Sequence, residues 1–252
     1  MIIEERKEKI LTILHKHKFM KLADLEAITR TSLSTLRRDL QDLETAGKVK
    51  RLRGGVQLME SLQTEPSMQQ KQVIHSGSKQ RIGKAAADLL QGGETIFLDA
   101  GTTTAEVIPY LTDKHPSVTV VTNSVHHAAR LSDLMIPTII IGGPIKQTTD
   151  ATIGATAVEQ IQHLAFDISF IGTNGIDVAH GLTTPDLEEA AIKSVVIKQS
   201  RCTYVLADAS KFGSVAFVQT ASLQDVTIIT NQLADEYAAL REKTEIIEVD
   251  RA

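Results

Sequence analysis

Ser32-Leu-Ser-Thr-Leu-Arg-Arg-Asp-Leu-Gln-Asp-Leu-Glu-Thr-Ala-Gly47, followed at once by Lys48-Val-Lys-Arg-Leu-Arg-Gly-Gly55, decides how the first quarter of this chain folds. Leu33, Leu36, Leu40 and Leu43 recur at helical spacing and predict a helix with one buried leucine face. Ser32 is placed to cap its start, because its hydroxyl can accept from a free first-turn N–H. Gly47 is placed to close it. Alternation from Val49 to Leu58, interrupted by Gly54-Gly55, predicts a β-hairpin. Upstream, Ile3, Ile10, Leu11 and Leu14 mark a helix over 3–17, and Leu22, Leu25 and Ile28 mark a second one. Thr29-Arg30-Thr31 makes a tight link to the third.

Three helices and a basic hairpin are the pattern of a winged helix-turn-helix, whose last helix enters the major groove. Ser32 stands at the start of that helix, and Ser34, Thr35, Arg37 and Arg38 lie off the leucine stripe or at its rim. Arg can take guanine O6 and N7 bidentately, while Ser and Thr reach bases or phosphates. The hairpin offers Lys48, Lys50, Arg51 and Arg53 to phosphates or the minor groove. Charge is segregated the same way. Residues 1–58 hold 13 Lys/Arg against 8 Asp/Glu, a net of +5 inside a chain of net −4, which leaves −9 on the remainder. A basic head on an acidic body favours a polyanion partner for the head alone.

The rest of the chain reads differently. Residues 59–76, with Gln, Ser and Pro66 and no sustained periodicity, are expected to be a linker between a head at 1–58 and a second domain at 77–252. That domain opens with a helix over 78–90. Short apolar runs then predict strands at 95–99, 118–122, 138–142, 168–172, 203–207, 226–230 and 246–249. Helical stretches at 105–111, 126–134, 155–164, 187–200 and 234–242 separate them. The alternation predicts an α/β domain with a largely parallel sheet, its strands covered on both faces. With Trp absent and aromatics at 4%, the cores must be aliphatic, and Phe97, Phe170 and Tyr110 are read as core. The one cysteine, Cys202, permits no intrachain disulfide and is expected to be a buried, inert thiol in a strand. No apolar run approaches the ~20 residues of a membrane span, and the charged stretch Glu4 to Lys9 leaves no signal-peptide core. The expectation is a cytoplasmic protein with no membrane partner.

Thr95-Ile-Phe-Leu-Asp99 runs into Ala100-Gly101-Thr102-Thr103-Thr104 and then a helix. A small-residue loop between strand end and helix start presents free N–H groups and hydroxyls to an anion. Polar or glycine residues follow the other strands too: Asn123, Gly142-Gly143, Asn174-Gly175 with Asp177, and Lys211. Such residues gather in one crevice beyond the carboxyl ends of an open sheet. Lys193 and Lys211 would supply positive charge, and Asp99, Asn123 and Asp177 would accept sugar hydroxyls. The mix of anion cradle, cations and hydroxyl acceptors suits a phosphorylated sugar. No HExxH, paired CxxC or G-x-S-x-G motif is present, so no metal, cofactor or catalytic residue is expected. His126 and His127 are neighbours on a helix and must point apart, which suits surface or core rather than ligation.

On these residues the chain resembles the DeoR family of bacterial sugar-operon repressors. The resemblance is carried by Glu5-Arg6 with Ile10-Leu11, Ser32-x-x-Thr35-Leu-Arg-Arg-Asp-Leu40, Gly54-Gly55, Leu98-Asp-Ala-Gly-Thr-Thr-Thr104, Val121-Thr-Asn-Ser124, Gly142-Gly143, Phe170-Ile-Gly-Thr-Asn-Gly-Ile176, Glu188-Glu-Ala-Ala-Ile-Lys193 and Leu206-Ala-Asp-Ala-Ser-Lys-Phe-Gly213. It implies an α/β protein: an N-terminal winged helix-turn-helix and a larger Rossmann-like sensor domain similar to ribose 5-phosphate isomerases and CoA transferases. It implies a homo-oligomer, dimer or tetramer, that binds operator DNA and is released by a sugar phosphate effector. The run 171–176 with Gly181-Leu-Thr-Thr-Pro-Asp186 is most like fructose-operon repressors, which makes fructose 1-phosphate the expected effector. Arg53 stands where many members carry His, so the base is kept and its hydrogen-bonding geometry changes. The competing reading is a sugar-phosphate isomerase with an accessory DNA-binding head. Isomerisation needs a carboxylate base, and the neutral Gly172-Thr-Asn-Gly175 leaves only Asp177 and Glu188 for it.

Overall fold

In the computed structural model, residues 3–17, 19–59, 62–63, 65–114 and 117–250 are described. The chain divides into two units, Met1–Ser61 and Leu62–Ala252. The smaller one runs α1 (Ile3–His17), β1 (Phe19–Lys21), α2 (Leu22–Thr29), α3 (Leu33–Thr45), β2 (Val49–Leu52) and β3 (Gly55–Leu58). Its core is Ile10, Leu11, Leu14, Leu25, Leu36, Leu40, Leu43, Val49, Val56 and Leu58. The three-residue β1 carries no local signature and was not expected. It pairs antiparallel with β3, so the hairpin becomes a three-stranded sheet in the order β1-β3-β2. Both hairpin glycines have a steric reason. Gly54 turns the chain at φ 81, in the left-handed region. A Cβ on Gly55 would lie 2.6 Å from the Met20 carbonyl oxygen and run into the Phe19 ring.

Two core expectations are corrected in this unit. Ile28 is 47% exposed. The residue one full turn beyond Leu25 is Thr29, which is buried in its place with its hydroxyl donating to the Leu25 carbonyl at 2.7 Å. Ile3 is also exposed, two turns ahead of the buried Ile10. The cap of α3 forms as read: the Ser32 hydroxyl accepts from the Thr35 N–H at 3.4 Å. The far end closes by bonds from Gly47 N to Glu44 O and from Lys48 N to Leu43 O, both 2.9 Å.

The larger unit contains α4 (Met68–Val73), α5 (Ser76–Ala87), β4 (Thr95–Leu98), α6 (Leu111–Lys114), β5 (Thr119–Thr122), α7 (Val125–Asp133), β6 (Thr138–Ile140), β7 (Ile145–Lys146), β8 (Ala151–Thr152), α8 (Ala155–Gln162), β9 (Phe166–Gly172), β10 (Gly175–Asp177), β11 (Gly181–Thr184), α9 (Leu187–Lys198), β12 (Ser200–Leu206), β13 (Val218–Ala221), β14 (Thr227–Thr230) and β15 (Ile246–Glu248). The stretches expected as helices at 105–111 and 234–242 are 3₁₀ turns, Thr104–Tyr110 and Asp235–Glu242; the first holds Pro109, which cannot donate to an α-helical ladder. The seven expected strands make one parallel sheet, ordered β15-β14-β12-β9-β4-β5-β6. Chain order therefore runs outward in both directions from β4 and β9, and their boundary is the topological switch point where open sheets of this kind bind ligands.

Several local expectations change here. The segment read as a linker holds α4 and the start of α5, and from Leu62 it belongs to the larger unit. Residues 60, 61 and 64 of it lie outside the described residues. Cys202 is exposed, because the first residues of β12 extend into solvent before Thr203 and Val205 enter the core. The edge strand β6 leaves Ile139 and Ile140 half exposed, so cover on both faces fails there. An antiparallel sheet β10-β11-β13 and the pair β7-β8 were not expected. No described helix is long and apolar enough to cross a membrane.

Candidate functional site

On α3 Leu36, Leu40 and Leu43 are buried while Leu33, expected on the same face, is partly exposed in the first turn; Ser32, Ser34, Arg37 and Arg38 are exposed and Thr35 is half-buried at the rim. Asp39 is drawn inward to α1, where Arg6 Nη2 donates to it at 2.8 Å. Arg37 and Arg38 make no ion pair among the described residues. Lys50 and Arg53 are exposed on the hairpin. Arg51 is exposed too, but it is tied back to α3: its backbone N–H donates to Glu44 Oε1 at 2.8 Å and its guanidinium donates to Gln41. It braces the hairpin against α3 as well as adding charge.

In the larger unit the switch point brings together residues far apart in sequence. Asp99 ends β4, 2% exposed. Its Oδ2 accepts from the Gly172 N–H at the end of β9, at 2.8 Å, and from the ammonium of Lys193 on α9. Burial works against the charge of Lys193, but Asp99, Glu189 and Glu65 hold its pKa above the ordinary lysine value. Gly101 and Thr102 are partly open beside this pair, and Thr103 is nearly buried. Thr104 is spent on the loop itself: its hydroxyl donates to the carbonyls of Asp99 at 2.6 Å and Gly101 at 2.9 Å. Asn123, at the end of β5, likewise shapes the loop by accepting from the Ala100 N–H at 3.1 Å.

The remaining expected residues are placed elsewhere or otherwise engaged. Gly142 donates to Gln160 Oε1 at 3.0 Å, and a Cβ on Gly143 would lie 2.5 Å from the Ile153 carbonyl oxygen. That pair serves the packing of the chain between β6 and α8. Gly175 is just as constrained, with the Ser214 carbonyl 2.3 Å from a Cβ position. Asn174 Oδ1 accepts from Thr184 at 3.1 Å. Asp177 caps its own hairpin turn, accepting from the N–H groups of Ala179 and His180, both at 2.9 Å, and lies apart from the Asp99 cluster by hydrogen bonding. Lys211 sits in the turn after β12 near Asp208 and Lys79. Glu188, the other carboxylate an isomerase would need, is exposed in the first turn of α9. Among the described residues no group of three or more His, Cys, Asp or Glu is placed to hold a metal ion.

Two features, Lys146 and Lys79, escaped the sequence reading, and His127 takes the core place that was one of the two expected for it. Lys146 lies past the Gly142-Gly143 strand end, and that position was a usable signal. Its ammonium binds Glu65 at 2.7 Å, Glu189 at 2.9 Å and Asp186 at 3.1 Å. Lys79, buried on α5, donates to the Lys71 carbonyl; desolvation pulls its pKa down to about 8, with Asp208 opposing. His127 is fully buried in the first turn of α7, and neither ring nitrogen has a hydrogen-bond partner of good geometry among the described residues. Desolvation lowers its pKa from 6.5 to about 4, against the opposing pull of Asp99 and the Gly101 backbone and with Arg130 and His126 repelling the charge. Between pH 6.5 and 4 the unfolded chain takes a proton at this ring that the native one refuses, so stability falls with pH, by about 3 kcal/mol over that window. Denaturant titrations at both pH values should show this loss, and His127→Leu should flatten it. An acid limb unchanged in His127→Leu would remove His127 as its cause.

The comparisons agree with this division. Residues 6–62 match the DeoR-like helix-turn-helix domain and residues 74–232 the DeoR C-terminal sensor domain. The chain is 41% identical over 230 residues to the "uncharacterized HTH-type transcriptional regulator FruR" of Bacillus subtilis (strain 168), covering 91% of each chain. It is 35% identical over 228 residues to the HTH-type transcriptional regulator GlpR of Haloferax volcanii, covering 90% of this chain and 89% of that one. Among solved structures, a ribose 5-phosphate isomerase from Plasmodium falciparum superposes with a TM-score of 0.40 at 20% identity, over 54% of this chain and 52% of its own. A helix-turn-helix head, a seven-stranded parallel sensor sheet and both domain matches in order make the chain a member of the DeoR family of DNA-binding transcriptional regulators.

Proposed function

We propose that the chain represses a sugar-utilisation operon and leaves its operator when a sugar phosphate, fructose 1-phosphate, enters the crevice at the β4/β9 switch point. The observation that carries this is the buried Asp99–Lys193 pair beside the loop in which Gly101 and Thr102 are partly open. Loop N–H groups and the Lys193 ammonium suit a phosphate, and Asp99 suits a sugar hydroxyl. The relative named FruR supports the fructose member of the series. Arg37 and Arg38 read bases, Ser32, Ser34 and Thr35 fix α3 on the backbone, and Lys50, Arg51 and Arg53 add phosphate contacts. A dimer or tetramer places two copies of α3 about 34 Å apart, one duplex turn. Effector lowers operator affinity because it binds the free form more tightly, and by linkage operator lowers effector affinity equally.

The test is fluorescence anisotropy on a duplex that the purified protein selects from random sequence. Fructose 1-phosphate should weaken that complex about tenfold or more, by a coupling of 1–3 kcal/mol, and fructose 6-phosphate or inorganic phosphate much less. Arg37→Ala should cost about 1–3 kcal/mol on the selected duplex and little on a scrambled one. A complex indifferent to every sugar phosphate would remove the sensor half of the proposal. Full discrimination by Arg37→Ala would move base reading to other residues.

A further inference from the structure

The carboxylate of Glu65 sits between two ammonium groups. Lys71 Nζ donates to Oε1 and Lys146 Nζ to Oε2, each at 2.7 Å. All three side chains are largely withdrawn from solvent, at 9% exposure for Glu65, 18% for Lys71 and 17% for Lys146. Burial would raise the Glu65 pKa, but the two lysines bring it down to about 2, so the carboxylate is ionised at every working pH. Lys146 continues to Glu189, whose Oε1 also accepts from Thr149 at 2.7 Å. Glu189 and Glu65 both act on Lys193, so these charges form one chain that leads to Asp99 at the switch point.

Glu65 is carried on an irregular segment that follows directly on the head unit. Besides the ion pairs, backbone bonds at and just beyond its ends join that segment to the larger unit. Phe217 N–H donates to the Leu62 carbonyl at 2.9 Å, and Met68 N–H to the Thr148 carbonyl at 3.3 Å. Lys71 and Lys146, by contrast, stand on α4 and β7. Two lysines on regular elements, converging on one carboxylate from an irregular segment, make a site for an anion. Lysine binds phosphate as a point charge, with no demand for the carboxylate's planar geometry.

We propose that Lys71 and Lys146 form a second anion site, distinct from the Gly101–Thr103 loop, that takes a phosphoryl group by displacing the Glu65 carboxylate. The group is either free phosphate or the second phosphate of a sugar bisphosphate. This rests on the effector reading only for the bisphosphate.

Calorimetry on the full chain, wild type and Glu65→Gln, with inorganic phosphate, fructose 1-phosphate and fructose 1,6-bisphosphate tests it. Glu65→Gln removes a like charge from the site while keeping its shape, so phosphate or the bisphosphate should bind about tenfold or more tightly than to wild type. Fructose 1-phosphate should change little. A gain with inorganic phosphate identifies free phosphate as the occupant, and a gain confined to the bisphosphate identifies the second phosphate of the sugar. Adding Lys71→Gln should abolish the gain. Hydrogen exchange at the Met68 amide should rise in Glu65→Gln without any ligand. Wild-type binding of fructose 1-phosphate with no gain for either probe in Glu65→Gln would overturn the second site and leave the proposed function standing. A gain in Glu65→Gln with no binding of fructose 1-phosphate to wild type would do the reverse. Faster exchange at Met68 with no phosphate gain would reduce Glu65 to a structural clasp and overturn the site.

Discussion

Asp99→Ala should lower the melting temperature of the larger unit by roughly 10 °C. Lys193 is 6% exposed and Asp99 2% exposed, so removing the carboxylate strands a buried ammonium and leaves the Gly172 N–H without its acceptor. Breaking one partner out of a buried pair costs about 3–5 kcal/mol, far more than the pair's own net contribution. In a unit of 191 residues each kcal/mol moves the melting temperature by about 2–4 °C. The double variant Asp99→Asn/Lys193→Met removes both charges and keeps an acceptor for Gly172. It should recover most of the loss, since uncharged replacement of a buried pair is often near neutral, yet show no response to fructose 1-phosphate. Scanning calorimetry separates these cases. A melting temperature within about 2 °C of wild type in Asp99→Ala would mean that water reaches Lys193 and that the pair is not desolvated.

Leu36→Ala should unfold the head while the larger unit melts as before. Leu36 is fully buried among Ile10, Leu14, Leu25 and Leu40. Such a truncation costs about 2–5 kcal/mol. A unit of 61 residues holds only about 3–9 kcal/mol in total, so the substitution consumes most of what keeps α3 in place. Operator binding should then fall below detection at micromolar protein, although Arg37 and Arg38 are intact. Ile28→Ala is the control. Its side chain is 47% exposed, so it should cost about 0.5 kcal/mol or less and leave binding alone. Operator affinity retained in Leu36→Ala would show that the head's stability is not carried by this cluster.

Both predictions fall on residues whose roles were visible in the sequence to different degrees. The leucines of α3 announced themselves by a spacing of three and four, and the Ser32 cap and the Gly54 turn by residue type, because each depends on neighbours within a few positions. The seven strands of the parallel sheet were legible for the same reason, as short apolar runs. Asp99 stood out because it ends such a run before a small-residue loop. Local reading failed where burial depends on what lies across the fold. Thr29, a full turn beyond Leu25, takes the buried place expected of Ile28. Cys202 is exposed because the first part of its strand extends beyond the core.

The sequence by itself thus determined a basic three-helix head with a hairpin, an α/β second unit, and the strand-end loop on which the effector reading rests. Their signals are short-range, set by helical and strand periodicity and by the conformations of serine caps and glycine turns. Only the tertiary structure decided that β4 lies beside β9, that Asp99 meets Lys193 ninety-four positions later, and that Glu65 is clamped by Lys146 eighty-one positions away. Strand order and buried ion pairs join residues with no spacing rule between them. They follow from which faces can be covered and which charges can be paired once water is excluded.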